Sequence, residues 1–255
     1  MFNFITRWLN RRIIHNSTIS DEQWQRAIST LPILDGLNAN ELRRLKELCI
    51  LFIDAKEFEG ARGLEVTEHM ILIVALQACL PILNFGLKKY NQWYTIIIYP
   101  STFITNRTVK DENGVVNDER AHLLGEAWHR GPVILSWDET ENAGVIDGHN
   151  LVIHEFAHKL DMQNGEANGF PPLNYGMKRK SWVSAFTQGF EDFQKRCDTE
   201  QLYGISCYAA TSPAEFFAVL SEMFFEKPKV INDIYPRIYQ QLCLYYRQSP
   251  LERLP

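Results

Sequence analysis

No two cysteines of this 255-residue chain stand in a CxxC spacing, which argues against a zinc site built on thiolates. The five that occur (Cys49, Cys79, Cys197, Cys207 and Cys243) are scattered and odd in number, a pattern of free thiols in a reducing compartment and not of a disulfide framework. Basic charge is not in excess either: 26 Lys and Arg face 31 Asp and Glu, for a formal net charge of −5. Direct nucleic-acid binding, which needs a basic surface to displace counterions, is therefore not expected. Binding to another protein stays open. A secretory signal is missing from MFNFITRWLNRRII, where Arg7, Arg11 and Arg12 break up the apolar residues and no small-residue cleavage site follows. An amphipathic helix docked on the body is expected there. An uninterrupted apolar run is also lacking: Met70 to Leu87 is broken by Gln77, Pro81, Asn84 and Gly86, so a buried core helix with Thr67 as N-cap is expected and a membrane span is not. A soluble, cytoplasmic protein follows as the expectation.

What is present is an ordinary globular composition, 45% hydrophobic and 22% charged. The front third reads as helices. Ser20 with Gln23, and Asn38 with Glu41, form capping-box patterns ahead of apolar residues at helical spacing. The middle changes to short β-branched and aromatic runs, Thr95 to Tyr99 and Pro132 to Trp137, which predict strands; Asn113-Gly114 between them signals a turn. After Asp147-Gly148, helices are predicted over Leu151 to Met162, Lys180 to Arg196, Ser212 to Phe225 and Tyr235 to Arg247. Helices, then strands, then helices point to an α+β fold. A helical part over residues 1–85 is expected to pack on a catalytic body over residues 86–255, without a clean linker.

The chemistry lies in His154-Glu155-Phe156-Ala157-His158. On a helix the two histidines fall one turn apart on one face, where both imidazoles can converge on a single zinc, while Glu155 lies about 100° away around the axis. Zinc lowers the pKa of a water that it holds to near 7, and a carboxylate beside it is placed to act as general base. Three fixed residues are a short motif, but the apolar Leu151, Val152, Ile153, Phe156 and Leu160 around them mark a buried helix, where unpartnered polar groups are costly. Asp161 is read either as a carboxylate orienting a zinc-binding histidine or as a helix-end acid that is solvated or bonds the backbone of the Gln163-Asn164-Gly165 turn.

A third protein ligand is needed, with His69, His122, His129 and His149 and many acids available. Glu215 is the best candidate, because it opens a strongly apolar helix that must enter the core. The competing account is a capping box, Ser212-Pro213-Ala214-Glu215, in which Glu215 only reaches back to Ser212. Glu222, two turns on, is the reserve ligand or an acid that holds a histidine. Tyr208, seven residues before Glu215, is a candidate to stabilise an oxyanion.

HEFAHKLD followed by YAATSPAEFFAVLSEMFF, with GPVILSW and QACLPIL ahead of them, resembles the Mlc titration factor A family of bacterial zinc peptidases, which in turn look like the catalytic core of anthrax lethal factor. The resemblance implies a zincin-like fold with a mainly helical N-terminal part. It implies one zinc per chain, held by His154, His158 and Glu215, with Glu155 as base and Tyr208 as oxyanion stabiliser. It also implies aminopeptidase-like cleavage and binding of the transcriptional repressor Mlc. The resulting expectation is a zinc metallopeptidase of the gluzincin-like HExxH type acting on peptides, with substrate added to an edge strand within Pro132–Trp137. The rival is a repressor-binding regulatory protein whose zinc site is structural or vestigial.

Overall fold

A computed structural model describes residues 2–101, 103–110, 116–123, 125–127, 131–142, 145–199 and 204–254, with side chains described for residues 5–101, 131–142, 145–199 and 204–254. The chain opens with four helices, α1 (Phe2–His15), α2 (Asp21–Ser29), α3 (Ala39–Ala55) and α4 (Glu68–Cys79), with strand β1 (Glu57–Gly60) between the last two. Both expected capping boxes form. Ser20 accepts the Gln23 N–H at 3.2 Å, and the Gln23 side chain accepts the Ser20 N–H at 2.7 Å. Asn38 and Glu41 do the same at the start of α3. Thr67 caps α4, whose residues from Leu72 to Cys79 are all buried. Among the described residues no helix is long and apolar enough to cross a membrane.

Strands β2 (Thr95–Tyr99), β3 (Phe103–Lys110), β4 (Val116–Leu123), β5 (Gly125–Ala127) and β6 (Val133–Ser136) fill the middle. The main sheet has the order β1-β2-β6-β5, parallel except for β5, which runs antiparallel to β6. β3 and β4 form a separate antiparallel hairpin; the Asn113-Gly114 turn signal lies outside the described residues. The front third is thus not only helical, because β1 pairs in register with β2 through Glu57–Thr95. A further correction concerns the expected edge. β6 is hydrogen-bonded on both sides and buried at every position, so the apolar run at 133–136 marks an interior strand. Among the described residues, the free edge nearest the later helices is that of β5.

The chain then enters α5 (Trp137–Glu141), α6 (Leu151–Asp161), α7 (Arg179–Asp198), α8 (Pro213–Glu226), α9 (Pro228–Ile234) and α10 (Pro236–Tyr246). α6 packs beneath β5 and β6 and against α4 and α8. Its Phe156 enters an aromatic cluster with Tyr90, Trp93 and Phe52 at ring separations of 5.1, 5.5 and 5.8 Å, which fixes the rotation of the helix about its axis. Gly148, just ahead of α6, has φ +92°, and a Cβ there would meet the Met223 sulfur at 2.5 Å. At the other end of the chain, α1 rests on α3 but leaves Ile5, Trp8 and Leu9 exposed, so its docking on the body is only partial.

The free-thiol expectation is corrected at one pair. Cys197, at the end of α7, is joined to Cys207, with a Cα–Cα separation of 5.7 Å, while Cys49, Cys79 and Cys243 are free. Ten residues separate the two in sequence, and no spacing rule signals that they meet. Reduction is expected to lower stability by about 2–3 kcal/mol through the freed loop. Urea unfolding with and without reductant measures this; identical midpoints would mean that the pair is reduced in solution.

Candidate metal centre

The helix that carries the motif is held at its N-terminus by a buried polar network. Asn150 caps α6, accepting the Ile153 N–H at 2.9 Å. Its amide donates to Gln77 of α4 at 2.8 Å and to Glu226 of α8 at 3.1 Å, and its backbone N–H donates to Glu222 at 2.6 Å. The start of the helix is thereby tied to two neighbouring helices, which sets its depth in the fold. Burial pushes the Glu226 carboxyl up to about 7, against the hydrogen bonds from Asn150 and Gly148.

From this frame His154 and His158 project on one face, with side chains only 10% and 9% exposed. Glu215 meets them from the first turn of α8. Its Oε2 lies 3.0 Å from His154 Nε2 and 3.3 Å from His158 Nε2, and the two Nε2 atoms are 3.1 Å apart. In a tetrahedral site with bonds of about 2.0–2.1 Å, neighbouring donor atoms stand about 3.3 Å apart. The three donors therefore have the spacing that a zinc-sized ion requires. Among the described residues they are also the one group of three or more His, Cys, Asp or Glu with this convergence. Only half of the expected capping box at α8 forms: Ser212 accepts the Glu215 N–H at 3.2 Å, while the Glu215 carboxylate turns to the histidines. Burial raises the Glu215 pKa, but the bonds to His154 and His158 outweigh it and hold the group well below the usual carboxylate range.

Glu222 is not part of this triangle. Its Oε1 lies 2.7 Å from His154 Nδ1, and its Oε2 lies 3.1 Å from Nδ1 of the half-exposed His149. An Nδ1–H of His154 donating to Glu222 leaves the Nε2 lone pair pointing at Glu215 and His158, the tautomer that a metal needs. Replacing Glu222 by Gln is expected to weaken metal affinity about 10–100-fold. Competition with a chromophoric chelator measures it, and an unchanged affinity would deny that the bond orients His154.

Glu155 is 4% exposed, and its Oε2 has no hydrogen-bond partner among the described residues. Burial pushes its pKa up to about 7, opposed by the charges of His154 and His158 and reinforced by Glu215 and Glu222. An unpartnered buried carboxylate beside three converging donors is costly unless a cation or a proton-donating guest completes it. Tyr208 sits on the short turn Cys207–Ala210, half exposed, with its ring 6.1 Å from that of His154.

Asp161 takes neither of its two expected roles as stated. Its Oδ2 accepts the N–H groups of Asn168 and Gly169, at 2.7 and 2.6 Å, beyond the Gln163-Asn164-Gly165 turn. Its Oδ1 and the His158 Nδ1 are both buried without a partner among the described residues. His149 belongs to the Glu222 network and His69 lies elsewhere, beside Thr67 and Glu68; the side chains of His122 and His129 lie outside the described residues. Sequence reasoning missed Asn150, Gln77 and Glu226. The available signals were a glutamine inside an apolar helix and a second acid one turn after Glu222. It also missed Lys159, which is buried and donates to the Gly131 carbonyl at 2.7 Å, tying α6 to the segment that enters β6. Burial pushes the Lys159 amine down to about 7.

The profile of the glucose-regulated metallo-peptidase M90 family matches residues 5–247. The chain is 37% identical over 236 residues to the protein named Mlc titration factor A of Yersinia pestis (strain Pestoides F), covering 91% of this chain and 86% of the relative. The same figures hold for the protein of that name from Yersinia pseudotuberculosis serotype O:3 (strain YPIII).

Proposed function

This chain belongs to the glucose-regulated metallo-peptidase M90 family, and from that membership we propose that it is a zinc-dependent peptidase with one zinc per chain held by His154, His158 and Glu215. The observation that carries the reading is the triangle of donor atoms 3.0–3.3 Å on a side, next to a buried carboxylate with a free oxygen. Zinc, when bound, supplies a polarised water and positive charge for the oxyanion. Glu155 takes the proton of the attacking water and passes it to the leaving amine. Tyr208 donates its phenol hydrogen to the oxygen that becomes negative. Glu222 keeps His154 in its ligating tautomer. The peptide extends along the free edge of β5, whose backbone groups hydrogen-bond it over α6. The same reading takes residues 86–255 as a zincin-like catalytic body to whose sheet residues 1–85 contribute β1 while their helices pack on it, the whole acting in the cytoplasm as an aminopeptidase-like enzyme.

The test is a paired measurement: zinc content of the purified chain, and hydrolysis of aminoacyl p-nitroanilides before and after chelation. Stoichiometric zinc with chelator-sensitive hydrolysis is expected; neither being found overturns the proposal. A second activity is favoured by the relatives' name, Mlc titration factor A: binding of an Mlc-type repressor. If that surface lies away from the cleft, His154→Ala abolishes hydrolysis and leaves repressor binding intact. Loss of both in a folded variant would place the two activities on one site.

A further inference from the structure

A cavity of about 340 Å³ lies in a groove between α7 and the start of α8, the helix that carries Glu215. Its walls are aromatic: Phe170, Trp182, Phe186, Phe190 and Phe216, with Trp182 and Phe186 stacked at 4.2 Å. Two connections bind it to the site. Gly169, on its rim, has φ +74° and approaches Pro213 so closely that a Cβ would meet the Pro213 carbonyl oxygen at 2.4 Å, and its N–H is held by Asp161 at the end of the metal helix. Pro213 and Phe216, also in the wall, flank Glu215 in sequence, and α7 bonds the turn of Tyr208 through Gln194 and the Ala210 carbonyl. The groove therefore runs alongside the segment that carries Tyr208 and Glu215.

One charged side chain lines this groove. Arg179 is exposed, lies 5.1 Å from the Phe170 ring, and among the described residues has no hydrogen bond or ion pair. Arg237 of α10, by contrast, bonds Gln188 and Ser184 of α7. A guanidinium held over an aromatic wall, with its donors unused, is complementary to a carboxylate next to a bulky apolar group. A volume at the low end of the range for ligand sites suits one side chain and not a larger ligand.

The geometry points to this groove as a subsite for a bulky aromatic residue bearing a free α-carboxylate, that is, the C-terminal residue of a short peptide, with Arg179 pairing its carboxylate. As a statement about substrate it rests on the peptidase reading; as a statement about binding it does not. The test uses N-acetyl-phenylalanine as probe, compared with N-acetyl-phenylalaninamide and N-acetyl-alanine, by NMR titration of the full chain. Each is measured with zinc and after chelation, because a carboxylate bound only to the metal would vanish on chelation. The acid is expected to bind about tenfold better than the amide or the alanine compound in both states. Arg179→Gln should erase the acid-over-amide preference, and Arg179→Lys should restore part of it. Thr187→Trp, at an exposed position on the lip, should fill the groove and abolish binding of both phenyl probes without unfolding the core. Equal affinity for acid and amide, or unaltered binding in Thr187→Trp, would overturn the assignment. Binding retained in a chain that holds no zinc would leave the groove's ligand intact and remove only its role in hydrolysis. With active enzyme, the same variants should raise KM for peptides ending in Phe and leave kcat within about twofold, the split expected when uniform binding is lost.

Discussion

Glu155→Gln is expected to retain stoichiometric zinc and to lose hydrolysis by roughly 10²–10⁴-fold. The carboxylate stands beside the donor triangle and contributes none of its three atoms, so an isosteric amide should leave the metal in place. What it removes is the group proposed as proton acceptor. Because burial holds this carboxyl near 7 in the protein without metal, the base is lost as pH falls through its pKa. The positive charge of a bound ion favours the carboxylate and shifts that loss to lower pH. The acid limb of kcat/KM should thus lie below pH 7, and should disappear into the residual rate in the Gln variant. Metal analysis and a pH–rate profile on the same preparation check both parts. A variant that holds zinc and keeps its rate would assign the base elsewhere.

Glu215→Ala is expected to cost the metal itself. One of three donors is removed, and two imidazole Nε2 atoms 3.1 Å apart remain. Zinc at about 1,000 times its dissociation constant stabilises the native chain by about 4 kcal/mol, which for a chain of this size raises Tm on the order of 10 °C. Wild type should show that shift with added zinc and lose it with chelator; Glu215→Ala should show neither. The capping-box alternative makes a different forecast, since loss of a cap alone costs about 1 kcal/mol and leaves zinc binding untouched. Calorimetric scans with and without zinc separate them. A full zinc shift in the Ala variant would put the third ligand at another residue.

Much of the site was legible because the histidines and Glu155 lie within one turn of a single helix, where 3.6 residues per turn fixes their relative directions without reference to the rest of the chain. The caps at Ser20, Asn38 and Thr67 were legible for the same reason. Glu222 was open between two roles until its distance to His154 Nδ1 selected one. Asp161 bonds Asn168 and Gly169, seven and eight residues on, in a loop that no periodicity describes. The run at 133–136 was correctly a strand, but an apolar strand reads alike at an edge or in the middle, and only the pairing with β2 and β5 shows it to be interior.

By itself, the sequence determined the helix that carries the motif, the apolar character of α8, the strand at Thr95–Tyr99 and the family. Each of these depends on residues close together along the chain, where backbone geometry converts spacing into direction. The tertiary structure alone decided that Glu215 turns to the histidines instead of Ser212, that Glu222 holds His154, that Cys197 meets Cys207, and that an aromatic groove lies alongside whose Arg179 is unpaired among the described residues. Those are meetings between segments 10 to about 70 residues apart, set by how helices pack and not by local propensity, so no spacing along the chain encodes their distances.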